Sequence, residues 1–181
     1  MPSRTSLLFV LCSVLNSALG CKWLSDGRLR NESITLIEAM GGPMTKEGSP
    51  VSFPYRFYDR IENSQAEKQL VFIRDSMKLI FRLYHHNNYS SAAWDTVRTE
   101  HFLMSIDKQI EELNHCVSTN IRTDRRLRRY YRKLATSTLH HTGGSAASWE
   151  LIRKETQQHL FHLDLLVATI RRRSATTKQQ Q

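Results

Sequence analysis

Between residues 66 and 84 the apolar side chains Leu70, Ile73, Met77, Ile80 and Tyr84 recur at alternating spacings of three and four. That period matches one face of an α-helix and excludes a strand, whose faces alternate at every second residue. Phe72, Leu79 and Leu83 widen the stripe, so burial on more than one side is expected. "SQAE" at 64–67 places Ser64 as N-cap with Glu67 three residues on, the pattern of a capping box. The same spacing returns at Leu103, Ile106, Ile110, Leu113 and Val117, within a helix read over 92–117. A shorter, heavily basic run carries Leu127, Tyr131, Leu134 and Thr138. A last one starts at Trp149 and continues through Ile152, Thr156, His159, Leu163 and Ile170. Leu29, Leu36, Ile37 and Met40 support a helix over 23–40 that Gly27 weakens.

With seven glycines and four prolines in 181 residues, the chain has few natural breaks. The expected architecture is all-α: five helices, a long loop at 41–63, and a flexible basic and polar tail at 174–181. A loop of that length can cross a bundle from end to end and let neighbouring helices run parallel.

Arg4 followed by "LLFVLCSVL" at 7–15 reads as a signal peptide over residues 1–20, too short to span a bilayer. Ala18 and Gly20 supply the small residues of a cleavage site before Cys21, so a secreted, extracellular product is expected. Cys12 leaves with the leader. Cys21 and Cys116 remain, either as two free thiols or as one pair, and an oxidising compartment favours the pair. Sequons at Asn31 and Asn88 suit the same compartment as glycosylation sites. No further stretch is long and charge-free enough to insert in a membrane.

Formal net charge is +9, or +8 without the leader, which favours acidic partners. Nucleic acid, a heparan-type glycan and an acidic receptor face all fit that sign. The densest run, "DRRLRRYYRK" at 124–133, places a basic outer face over an apolar inner one, with Arg125 and Arg129 on the outside. The leader argues against a nucleic-acid partner, because a secreted chain rarely meets one.

Catalytic machinery is not legible. No nucleophile stands with a base, no carboxylates are paired in a loop, and no phosphate-binding glycine pattern surrounds Gly143 and Gly144. The pairs His85–His86 and His140–His141 lack companion ligands, and adjacent helical residues diverge too far to share a metal. His159 and His162 are better spaced, yet a satisfied core histidine is the simpler reading. The chain is therefore read as a non-enzyme with no cofactor and no metal.

Two stretches, "RRYYRKLATSTLHH" at 128–141 and "AASWELIRKE" at 146–155, combine with the leader, the long loop and the two cysteines into a pattern that resembles the type I interferons. The likeness is strongest to the fish members whose mature chain holds two cysteines. Tyr130 and Tyr131 match the aromatic pair of the family's fourth helix, and Trp149 and Glu150 match the Trp-Glu that opens its last helix. Ala147 and Ser148 stand where Cys-Ala is usual, and the partner of that missing cysteine is missing too, which leaves Cys21–Cys116 as the counterpart of the remaining bridge.

The resemblance implies a helical cytokine domain over 21–173 with up-up-down-down topology and the long loop between its first two helices. It also implies binding to a class II cytokine receptor heterodimer and JAK–STAT induction of antiviral genes. By the same resemblance, Phe53 and Pro54 in the loop and Glu150, Arg153, Lys154 and Gln157 on the last helix form the higher-affinity receptor site. Arg125 and Arg129 belong to the opposite site. Trp149, Ile152 and Tyr131 are expected in the core. Arg153 lies about 40° around the helix from Trp149 and is expected to reach outward to a receptor carboxylate. The rival reading from the residues alone is a secreted basic bundle acting on membranes, glycans or nucleic acid, as an antimicrobial or a carrier.

Overall fold

The computed structural model describes residues 20–117 and 123–179, with the side chains of 177–179 left out of account. The leader reading over 1–19 and the last two residues of the tail lie outside the described residues.

Seven α-helices occur among the described residues: α1 Lys22–Ser25, α2 Arg28–Ala39, α3 Tyr55–Glu62, α4 Ala66–His85, α5 Thr96–Cys116, α6 Arg125–Leu134 and α7 Ala146–Gln179. A π-helical turn, Ala135–Leu139, and a 3-10 turn, His140–Thr142, follow α6. The five expected helices are α1 with α2, then α4, α5, α6 and α7, while α3 is a short helix inside the long loop.

Helix directions follow from which ends meet. Cys21 is bonded to Cys116, with Cα atoms 5.0 Å apart across 95 residues of sequence. Met40 O accepts from Asp95 N at 2.7 Å, so α2 and α5 run antiparallel. Arg30 meets Asp164 and Arg153 meets Ile37, which makes α7 antiparallel to α2. Tyr84 near the end of α4 meets Thr156, while Ser64 just before α4 accepts from Arg173, so α4 is antiparallel to α7 and parallel to α2. The topology is up-up-down-down.

Several local details differ from the sequence reading. Gly27 divides the first helix, and the buried guanidinium of Arg30 donates to the carbonyls of Trp23 and Asp26 at 2.7 and 3.0 Å, capping α1. Ser64 is not the N-cap of α4: Gln65 occupies that position without a side-chain bond, and the Ser64 hydroxyl turns back to Ile61 O at 2.8 Å. A hydroxyl that can close the preceding helix is no longer available to open the next. Asp95 and Asp124 do cap α5 and α6, through the backbone N–H groups of Arg98 and Arg126. Gly143 and Gly144 hold φ of 65° and 70°, successive left-handed positions that only glycine adopts cheaply, and they end the turn before α7. Within the tail expected from the sequence, residues 174–179 continue α7 as helix.

The bridge closes a long loop, and its removal by Cys21→Ser with Cys116→Ser is expected to cost about 2 to 5 kcal/mol. Denaturant titration of the double variant checks this; an unchanged midpoint would mean that the bond constrains nothing.

Candidate functional site

Trp149 and Ile152 are fully buried, and Tyr131 nearly so. Trp149 packs edge-on against Trp94 and Tyr89, and its indole N–H donates to Asn88 O at 3.1 Å. The helix phase set by Trp149 decides where the rest of the stretch points.

Arg153 corrects the sequence reading. It is wholly buried, not outward. Nη1 donates to the carbonyls of Ile37 and Glu38 at 3.2 Å each, and Nη2 donates to Gly42 O at 2.6 Å. Nη2 and Nε also meet Glu150 Oε2 at 2.7 and 3.0 Å. The carbonyls of Ile37 and Glu38 belong to the last turn of α2 and have no partner within their own helix. Arg153 thus caps α2 from another helix, at the negative end of its dipole. Arg98 completes the cap at Ala39 O, 2.8 Å away. Gly41 is required where the chain passes: a Cβ there would lie 2.9 Å from both Arg153 Cζ and Trp94 Cδ1.

Glu150 turns toward Trp94. Its Oε1 accepts from Trp94 Nε1 at 2.5 Å, and its side chain is 28% exposed. It is half-buried, as Lys154 and Gln157 are, at the edge of the outward face.

Lys154 and Gln157 stay at the half-buried surface and tie neighbouring segments to α7. Lys154 Nζ donates to Glu47 O, and Gln157 Nε2 donates to Glu38 Oε1, each at 2.7 Å. Gln158 does the same toward Tyr55 OH at 2.7 Å. Phe53 is half-buried, its ring stacked parallel to Tyr58 and 4.6 Å from His159; Pro54 is the N-cap residue of α3.

Sequence reasoning missed Gln158, Phe161 and Leu165. Both apolar members are exposed, at 44% and 62%, and share the outward sector of α7 with Lys154 and Gln157. The signal was available: a Phe and a Leu four apart, off the stripe defined by Trp149, Ile152 and Leu163.

Beneath this face lies a buried polar chain. Tyr58 OH lies 2.6 Å from His159 Nδ1, His159 Nε2 lies 3.0 Å from Tyr130 OH, and Tyr130 OH donates to Glu155 Oε2 at 3.2 Å. Because Tyr130 spends its proton on Glu155, the consistent assignment has His159 donate from Nε2 and accept from Tyr58 at Nδ1. The chain is a structural link between α3, α6 and α7. Burial, and then the neighbouring His162, push the His159 imidazole down to about 3, so it stays neutral. Burial raises the Glu155 carboxyl.

Only the unfolded chain takes up a proton at this histidine between about pH 6.5 and 3. Its contribution to stability is full above 6.5 and lost as pH falls through that window, on the order of a few kcal/mol. Glu155 has the opposite sign, since its raised value withdraws stability as pH rises above the unfolded carboxylate range. The His159 imidazole resonances are expected to stay fixed from pH 7 to 5, and denaturation midpoints are expected to fall over the same range. A His159→Gln variant with the same slope over that range would remove this histidine from the effect.

The remaining sequence-marked residues are surface features. Asn31 on α2 and Asn88 between α4 and α5 are exposed, as are Arg125 and Arg129 on α6. Among the described residues, no group of three or more His, Cys, Asp or Glu side chains could hold a metal, and no helix is long and apolar enough to cross a membrane.

Comparison with known proteins is consistent along the chain. A family model described as the interferon alpha/beta domain matches residues 25–170. Interferon a3 of Oncorhynchus mykiss is 36% identical over 170 residues, covering 93% of this chain and 97% of that protein. Interferon alpha-14 of Homo sapiens is 24% identical, covering 92% and 94% respectively. The solved structure of zebrafish interferon 1 superposes with a TM-score of 0.74 at 27% identity, covering 83% of this chain and 99% of that one.

Proposed function

The chain belongs to the interferon alpha/beta family, a family of cytokines and not of enzymes, and from that premise we propose that it is secreted and signals through a class II cytokine receptor heterodimer. Engagement of the two chains activates receptor-associated kinases and STAT factors, which induce antiviral genes.

One observation carries the receptor reading: the end of α2, the loop after it and the outer side of α7 form a single face held in fixed register. Lys154 fixes the loop at Glu47, Gln157 fixes α2 at Glu38, and Gln158 fixes α3 at Tyr55. Tyr55, Phe161 and Leu165 expose apolar surface beside them. A preformed face with apolar anchors inside a polar rim suits a protein partner, because little ordering is left to be done on binding. Arg125 and Arg129 lie on α6, away from it. Asn31 and Asn88 are accessible to glycans, and secretion would expose them to the machinery that attaches these.

Purified chain lacking the leader, applied to cells of the source species, is expected to raise STAT phosphorylation and protect them from virus only when both receptor chains are present. Activity that persists without either chain would overturn the proposal. Lys154→Glu is expected to weaken receptor association while leaving the melting temperature unchanged, since it exchanges a surface contact and leaves Arg153 in place. Equal affinity in that variant would move the receptor face elsewhere.

A further inference from the structure

Two groups of arginines in this protein contrast sharply. Arg30, Arg74 and Arg153 are buried, and each is paired with a carboxylate. On α6 the side chains of Arg125, Arg126, Arg128, Arg129, Arg132 and Lys133 are all exposed, and among the described residues none makes a hydrogen bond or an ion pair. No acidic residue lies in the first turn, and the one adjacent carboxylate, Asp124, is committed to capping.

This arrangement costs the fold stability. Arg125, Arg126 and Arg128 stand at the N-terminal end of α6, where the helix dipole is positive and cations are disfavoured. Arg125, Arg128, Arg129 and Arg132 follow the spacing of one helical face, so they also repel one another. Local rules are broken here with no compensating contact among the described residues, which points to a partner outside the chain.

The chemistry of the face selects the partner class. Single-stranded nucleic acid needs aromatic platforms, but Tyr130 and Tyr131 are buried, with Tyr130 bonded inward to Glu155. Insertion into a membrane needs apolar side chains, but Leu127 and Leu134 face the core. What remains is a guanidinium face running from Arg125 to Arg132, about 10 Å long at helical rise. Arginine forks pair in bidentate fashion with tetrahedral and planar oxyanions.

We propose that the outer face of α6 binds a linear sulfated polysaccharide of the heparan type, through sulfate and carboxylate groups laid along the helix. The contact is separate from the face built by α2, the loop and α7, so the protein can be held at a cell or matrix surface with that face open. The proposal rests on the extracellular destination proposed above, but its test needs no receptor, so the two can fail independently.

The test measures binding of the purified chain to immobilised heparin and to the same polymer stripped of sulfate. Two variants each lose four positive charges: Arg125, Arg128, Arg129 and Arg132→Gln on α6, and Lys46, Lys68, Lys108 and Arg171→Gln elsewhere on the surface. The α6 variant is expected to bind sulfated heparin at least about tenfold more weakly, the other within about threefold of the unaltered chain, and binding is expected to fall steeply with salt. Stripped polymer, which keeps only its carboxylates, is expected to bind far more weakly than the sulfated form. Equal losses in the two variants would reduce the effect to net charge and overturn the proposal. So would full heparin affinity in the α6 variant together with a slower receptor association, which would assign the face to an acidic receptor surface. Should the α6 variant fail to fold, hydrogen exchange on the unaltered chain with a heparin oligosaccharide decides: protection over 125–133 supports the proposal, and protection confined to other segments overturns it.

Discussion

Arg153→Ala is expected to destabilise the protein by about 3 to 5 kcal/mol, the range for removing one partner of a buried ion pair. The loss has three parts that fall together. Glu150 would keep its bond to Trp94 but lose its cation, Ile37 and Glu38 would lose the donor that caps α2, and Gly42 would lose its tie to α7. Arg153→Lys should recover only part of this, because an ammonium is a compact charge that cannot replace a planar fork serving several carbonyls. Arg153→Glu should be worse than alanine, with two carboxylates facing each other and bare carbonyls around them. Urea titration with circular dichroism checks the series. Receptor affinity lost at unchanged stability would return Arg153 to the outward role its helical position had suggested.

Trp149→Ala is the second large effect, about 3 to 5 kcal/mol, as for truncation of large aromatic side chains in a core. Trp149 is fully buried among Tyr84, Tyr89 and Trp94, and its indole supplies the bond to Asn88 O that fixes the turn after α4. Trp149→Phe should cost less, since much of the ring contact survives and only the N–H is lost. A loss below about 1 kcal/mol in the alanine variant would contradict the packing described. Signalling should fall in proportion to the unfolded fraction and no further.

The two residues also show where the sequence was readable. The phase of α7 followed from Trp149, Ile152, His159 and Leu163, because a buried stripe leaves a period. Helical phase gives direction around the axis but not the thickness of what covers it. Arg153 lies off the centre of the stripe, and it is enclosed because the chain after α2 returns over it, a long-range event with no local trace. The helix at Tyr55–Glu62 was hidden by its shortness; Pro54 and the pair Phe57 and Ile61, four apart, were the available signs. Ser64 had two possible partners of equal local appeal, and only the placement of α3 chose between them. The basic run on α6 was plain in sequence, whereas its lack of a partner among the described residues required the folded chain.

The way Arg153 and Lys154 fasten the segment after α2 bears on how such a protein can change. Their bonds reach backbone carbonyls, at Gly42 and Glu47, which every residue type possesses. Apart from Gly41, where a Cβ has no room, the exposed positions at 42, 46, 47 and 48 can exchange side chains without releasing the segment from its anchor. Position and identity are thereby uncoupled. A lineage, or a library in the laboratory, can rewrite the chemistry presented by this segment one residue at a time while its path over the bundle stays constant.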